Sequence, residues 1–296
     1  MVMKVVGIHG ILHDYLTAPQ IENEWLLALQ GGLEVAGNPR IERNEFTCVG
    51  YGDFFRPSGT RSGYTPSLSY TDIEGEWEEE LLLKWWHEAA TLSAKNRSGE
   101  DELGENGTIQ DPEFQGRGRI PEIAQRALKQ LSKSKYFKAW GSEKVLIFAL
   151  KQVRRYLYDK ELKDKILQRV TEKVTQETRV IIGHSLGSVV AYEALCANPQ
   201  WNVHTLVTLG SPLGIQNLIF DALTPTPENG QGVWPNVEQW FNIADKGDIV
   251  ALEKELAPHF GSVTDLLVYN GWESHDVKRY LTAKETGCAV ATGIFE

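Results

Sequence analysis

The segment Arg179 to Leu195, RVIIGHSLGSVVAYEAL, constrains this chain more than any other part of it. The β-branched run Val180–Ile181–Ile182 leads into Gly183–His184–Ser185–Leu186–Gly187 and emerges as a helical pattern. The order is strand, sharp turn, helix, with a serine at the apex. A turn this tight strains the backbone at Ser185, and glycine two residues to either side lets the helix pack close on the strand. The hydroxyl is then presented at the carboxyl end of a sheet with a helix amino terminus behind it, a position that suits a nucleophile.

By chance alone, G-x-S-x-G would occur in roughly one chain in ten of this length. The flanking strand and helix patterns make it far more specific. The segment resembles the nucleophile elbow of the α/β-hydrolase superfamily. That resemblance implies an oxyanion loop earlier in the chain, and an acid followed by a histidine later, each after its own strand.

Lys4 to Ile8 (KVVGI) reads as a buried strand that runs into His9–Gly10–Ile11. In lipase-like members of the superfamily a strand ending in His-Gly-x supplies one oxyanion donor from the backbone of x. The resemblance therefore implies the amide of Ile11, with that of Leu186 as the second donor. His9 and Gly10 would edge the substrate. Taken alone, His9–Gly10 is equally a strand-ending turn.

The acid is sought in Trp240 to Val250, WFNIADKGDIV, where an apolar strand ends in a polar turn bearing two carboxylates. The lipase-like pattern N-x-x-D/G-x-x-D-x-V matches Asn242, Asp245, Asp248 and Val250. The second carboxylate is the one carried over, so Asp248 is the expected acid and Asp245 the alternative. Duller roles exist: Asp245 as a turn residue, Asp248 as N-cap of a helix starting Ile249–Val250–Ala251. Of the seven histidines, only His259 and His275 follow the acid. His275 comes just after the strand-like run Asp265 to Asn270, on the loop from which a base can reach Ser185, and is preferred over His259.

The residue types fit their roles. A serine hydroxyl becomes a nucleophile when a base about 3 Å away takes its proton. Histidine, with an unperturbed pKa near 6.5, accepts and returns a proton at neutral pH, and a buried carboxylate fixes its tautomer. Ser185, Asp248 and His275 follow the superfamily's chain order.

Around this frame, a helix is expected over Ala18 to Leu33 and a strand over Glu45 to Tyr51. More than a hundred residues then separate that strand from the elbow, where one crossover helix would suffice. Phe54 to Tyr70 is loop-like in composition, Trp77 to Leu92 is helical, and Asn96 to Arg119 is glycine- and acid-rich without periodicity. Helical stripes resume at Ile123, Ala127, Leu128 and Leu131 and again over Val145 to Leu157. Lys160 to Gln176 reads as the crossover helix. The expectation is an α/β-hydrolase core from residues 1–53 and 161–296, with residues 54–160 as a helical cap. Trp85 and Trp86 either pack that cap on the core or line an acyl-sized pocket. Beyond the elbow, the strand Val203 to Leu209 ends in Gly210–Ser211–Pro212. Ser211 precedes proline, which favours extended backbone, so it is expected to wall the site and not to attack.

The resemblance starts at the oxyanion strand, so the superfamily's first two strands are expected to be missing, leaving about six, mainly parallel, flanked by helices. The 296 residues with 42% hydrophobic content suffice for one large core. No apolar run of about 18 residues is present, and a core strand opens the chain, so neither signal peptide nor membrane span is expected. Cys48, Cys196 and Cys288 are odd in number and scattered, as reduced thiols in a cytoplasm would be. No metal-ligand spacing appears, no cofactor is expected, and a net charge of −10 argues against nucleic acid. The expected function is a serine hydrolase acting on an ester or thioester of a small acyl molecule through an acyl-enzyme. A peptidase or amidase would use the same residues. A non-catalytic binding protein of this fold is the rival class.

Overall fold

The computed structural model describes residues 3–56, 68–98, 120–134, 137 and 142–295. The elements run β1 (Val5–Ile8), α1 (Ala18–Val35), β2 (Phe46–Val49), α2 (Gly75–Ser98), α3 (Ile120–Lys133), α4 (Glu143–Tyr158) and α5 (Lys160–Thr171). They continue with β3 (Val180–His184), α6 (Leu186–Ala197), β4 (Thr205–Leu209), β5 (Gln239–Asp245), α7 (Ala257–Phe260), β6 (Thr264–Val268), α8 (Val277–Thr282) and α9 (Lys284–Phe295).

The six strands form one sheet in the order β2-β1-β3-β4-β5-β6, and every pair is parallel. Strands β1 to β4 are buried along their whole length, which explains why their sequences are continuous apolar runs. The pleat sorts their side chains to two faces. Val6, Ile8 and Ile181 pack beneath α2 to α6, while Val5, Val180 and Ile182 pack against α1, α8 and α9. The edge strand β6 is partly exposed, as an edge is.

From β1 the chain crosses to β2 on one side, and the next strand, β3, lies on the other. In an open parallel sheet such a reversal leaves a crevice at the carboxyl ends of the two strands, where ligands bind. His9–Gly10–Ile11 leaves one of these strands and Ser185 the other.

The described helices of the long insertion are not a detached layer. Leu81 and Leu82 of α2, Leu128 and Leu131 of α3, and Ile147 and Leu150 of α4 belong to the same apolar cluster as Val6, Ile8 and Ile181. A buried polar knot fastens it further. The Lys163 ammonium of α5 meets Glu193 of α6 at 2.8 Å, and the Tyr156 hydroxyl of α4 donates to the other carboxylate oxygen at 2.6 Å. The Thr224 amide completes the set at 2.8 Å.

Several expectations are corrected. The crossover helix α5 stops at Thr171, not Gln176. No helix begins at Ile249; residues 249–256 are irregular, and Ile249, Val250, Ala251 and Leu256 are simply buried. The helix α9 has no counterpart in the sequence-based layout. Most of the loop-like stretch Phe54 to Tyr70 and of the acid-rich stretch Asn96 to Arg119 lies outside the described residues.

Candidate active site

At the elbow, Ser185 has φ 54° and ψ −129°, a conformation that costs a non-glycine residue about 1–3 kcal/mol. Surrounding contacts hold it there. Its amide donates to the Leu209 carbonyl of β4 at 3.0 Å, and its carbonyl accepts from both the amide and the hydroxyl of Ser188. The flanking glycines are sterically required. A Cβ on Gly187 would lie 2.1 Å from the Ile8 carbonyl oxygen, and one on Gly183 would lie 2.6 Å from that of Gly187.

Ser211 braces this turn from behind. Its hydroxyl is 2.7 Å from that of Ser188. Because Ser188 gives its one proton to the Ser185 carbonyl, Ser211 is the donor in that pair. Ser211 is buried and does not line the cavity described below, so it supports the elbow and does not wall the site.

Asp248 and His275 meet beside the elbow. His275 Nδ1 donates to Asp248 Oδ2 at 2.7 Å, which leaves Nε2 as the basic nitrogen. The Tyr280 hydroxyl donates to the same carboxylate oxygen at 2.8 Å, and Oδ1 accepts from the amides of Val250 and Ala251. Asp248 thus makes cap-like bonds to the two amides although no helix follows. Its full burial pushes the carboxyl up, but the His275 ring, Lys254 and the Tyr280 hydroxyl outweigh that and hold it well below the usual range. It is a carboxylate at neutral pH.

Asp245 has a different task. Its carboxylate accepts from the Gly247 and Asn270 amides, and its carbonyl from the Asp248 amide, so it builds the turn that presents Asp248. Burial raises its pKa. His259 lies on α7 with its ring against Phe220 and does not line the cavity.

His184, the residue inside the elbow motif, packs against His275. Its Nε2 donates to the His275 carbonyl at 3.0 Å, and the two rings are 4.7 Å apart. Burial first, then the neighbouring His275, push its pKa well down, so it is neutral.

On the β1 side, His9 is fully buried, stacked between Tyr51 (centroids 4.1 Å apart) and His13 (4.6 Å). Its Nδ1 donates to the Gly10 carbonyl at 2.7 Å and its Nε2 accepts the Tyr51 amide at 3.2 Å. His9 therefore shapes the turn from within and does not line the cavity. Gly10 does approach the serine: a Cβ there would lie 2.7 Å from Ser185 Cβ and 3.2 Å from its Oγ. Leu186 is the first residue of α6, so its amide has no acceptor within the helix.

These parts open on a cavity of about 980 Å³. Gly10, Ile11 and His13 form one wall, the 270–279 segment carrying His275 another, and Ser185 is reached from inside. Ser132 to Ser134, at the end of α3, line the cavity as well. Trp85 and Trp86 are buried in the core, with Trp85 against Phe137, and do not line it. Among the described residues no group of three or more His, Cys, Asp or Glu is arranged to hold a metal ion. None of the helices there is long and apolar enough to cross a membrane. Tyr280 and His184 gave no sequence signal, since each acquires its partners from a distant segment.

The all-parallel sheet and the serine elbow at its switch point together define a protein of the α/β-hydrolase type. The chain belongs to the family of the PGAP1-like alpha/beta domain, which it matches over residues 127–282, just over half its length. The matched span runs from α3 to α8 and contains Ser185, Asp248 and His275, whereas β1 and Gly10 precede it. Comparison with curated proteins and with solved structures found no match.

Proposed function

We propose that this protein is a serine hydrolase acting on an ester or thioester of a small acyl-bearing molecule. Ser185 Oγ attacks the acyl carbonyl while His275 Nε2 takes its proton, and Asp248 holds the imidazole tautomer and stabilises the imidazolium. The amides of Ile11 and Leu186 receive the tetrahedral oxyanion, each worth about 10²–10³ in rate. The imidazolium then protonates the departing alcohol or thiol, leaving an acyl-enzyme. Water, deprotonated by His275, hydrolyses it and regenerates the serine.

One contact supports this above the rest. Asp248 and His275 lie 27 residues apart yet meet at 2.7 Å, and His275 lines the same cavity as Ser185. The cavity volume lies in the range that encloses a small-molecule ligand. Three unpaired cysteines, one of them buried in the core, fit a reducing cytoplasm.

A fluorophosphonate probe tests the assignment. Labelling of wild type that disappears in Ser185→Ala is the expected result, and folded wild type that resists the probe would remove the proposal. A panel of esters, thioesters and amides of graded acyl length then fixes the class, with ester or thioester turnover expected to exceed amide turnover.

A further inference from the structure

The turn after β1 is gripped by a side chain 140 residues away. Gln152 of α4 is 1% exposed. Its Oε1 accepts the Leu12 amide at 2.9 Å, and its Nε2 donates to Asp14 Oδ1 at 2.5 Å. The Asp14 carboxylate only accepts, and the Leu12 amide only donates, so the pair admits one orientation of the Gln152 amide. On its other side, the carbonyl of the Ile11–Leu12 peptide accepts His13 Nδ1 at 2.8 Å. That peptide is therefore held at both its N–H and its C=O. Leu12 sits at φ 65°, a left-handed conformation that a leucine keeps only when its surroundings impose it.

We infer that Gln152 is the positioning residue of the oxyanion site: it locks the Ile11–Leu12 peptide, and with it the direction of the adjoining Ile11 amide. This rests on the serine-hydrolase function proposed above and extends it to the helical insertion. On this view α4 contributes a fixed strut to the donor wall and touches no substrate. Asp14 acts one step further out by orienting the Gln152 amide.

Donor misalignment raises the barrier to the oxyanion more than it weakens substrate binding. Gln152→Leu is expected to lower kcat about 10–100-fold while KM stays within about threefold. It should also weaken a trifluoromethyl ketone, which mimics the tetrahedral adduct, by about the same factor as kcat falls. Gln152→Glu keeps the acceptor for Leu12 but sets a carboxylate against Asp14. It should be comparably impaired at pH 8, with its deficit relative to wild type narrowing towards pH 5.5 as the pair takes up a shared proton. Asp14→Asn combined with Gln152→Glu reverses the donor and acceptor and should recover most of kcat, with Asp14→Asn alone as baseline. Urea midpoints for every variant separate loss of fold from loss of alignment. Wild type that labels at Ser185 beside a folded Gln152→Leu with unchanged kcat would overturn the role of Gln152 alone, as would a folded double variant no better than Gln152→Glu. A folded wild type that does not label overturns both proposals.

Discussion

Acid should unfold this protein earlier than its carboxylates alone would dictate, because His9 and His184 are locked in as neutral rings. Burial is the first cause in each case and drives both well below the ordinary histidine value. His9 Nε2 must remain an acceptor for the Tyr51 amide, and a proton there would turn one bond into a clash. In the unfolded chain each ring regains a pKa near 6.5. The unfolded state then binds protons that the folded state refuses, so stability falls as pH drops through 6.5 and goes on falling until the depressed folded values are reached. At pH 5.5 the two rings together cost at most about 3 kcal/mol, against a total stability of about 5–15 kcal/mol for a typical domain. His13, also lowered by burial, adds in the same direction. Asp14 and Asp245, raised by burial, oppose the trend nearer the carboxylate range. Asp248, held low, gives up its contribution only as pH falls below the ordinary value for aspartate. Urea denaturation followed by tryptophan fluorescence at pH 7.5, 6.5 and 5.5 should show a falling midpoint whose slope approaches two protons per molecule. A flat midpoint across that range, or native-state NMR with both rings titrating near 6.5, would refute the reasoning.

Asp248→Asn should reduce kcat by about 10⁴ with the fold intact, while Asp245→Asn costs less than about tenfold in kcat; the reverse ordering would move the triad acid to Asp245. Tyr280→Phe removes a donor to Asp248 and strands the Asp245 amide, which now donates to the Tyr280 hydroxyl at 2.7 Å. A loss of about 2–4 kcal/mol in urea unfolding is expected, with a smaller fall in kcat than for Asp248→Asn. Lys163→Met leaves the buried Glu193 carboxylate without its cation and should cost about 3–5 kcal/mol. Adding Glu193→Gln, whose single amide oxygen can accept the Thr224 amide while its NH2 donates to the Tyr156 hydroxyl, should restore most of the lost midpoint.

What could be read from the residues follows from where the physics is local. The elbow is legible because Gly183 and Gly187 face backbone at distances no side chain survives. The buried strands are legible because both their faces are covered. The choice between Asp245 and Asp248 is not, since both sit in one turn and only Tyr280 and His275, from a separate segment, tell them apart. Ile249 to Ala251 looks like a helix start because a buried irregular stretch and a helix are both apolar, and Asp248 does bond the following amides. Trp85 and Trp86 are ambiguous for a similar reason: a helix that buries one face shows the same stripe whether it meets a core or a ligand. Lys284 to Phe295 carries mostly small residues and no wide apolar stripe, so α9 gives little periodic signal. His184 stays hidden as the variable letter of the motif, and its bond to the His275 carbonyl exists only once β3 and the 270–276 turn are side by side.

The continuous core beneath α2, α3 and α4 bears on how substrate enters. Swinging these helices away as one door would wet Leu81, Leu82, Leu128, Leu131, Ile147 and Leu150, at a cost on the order of 10 kcal/mol. The bond from the Tyr156 hydroxyl of α4 to the buried Glu193 would have to be broken as well. Ser132 to Ser134 and the turn bearing Trp272 both line the cavity and need no such movement to meet substrate. Selectivity for chain length should therefore respond to substitutions among Ser132 to Ser134 and at Trp272 and be indifferent to the buried Trp85 and Trp86.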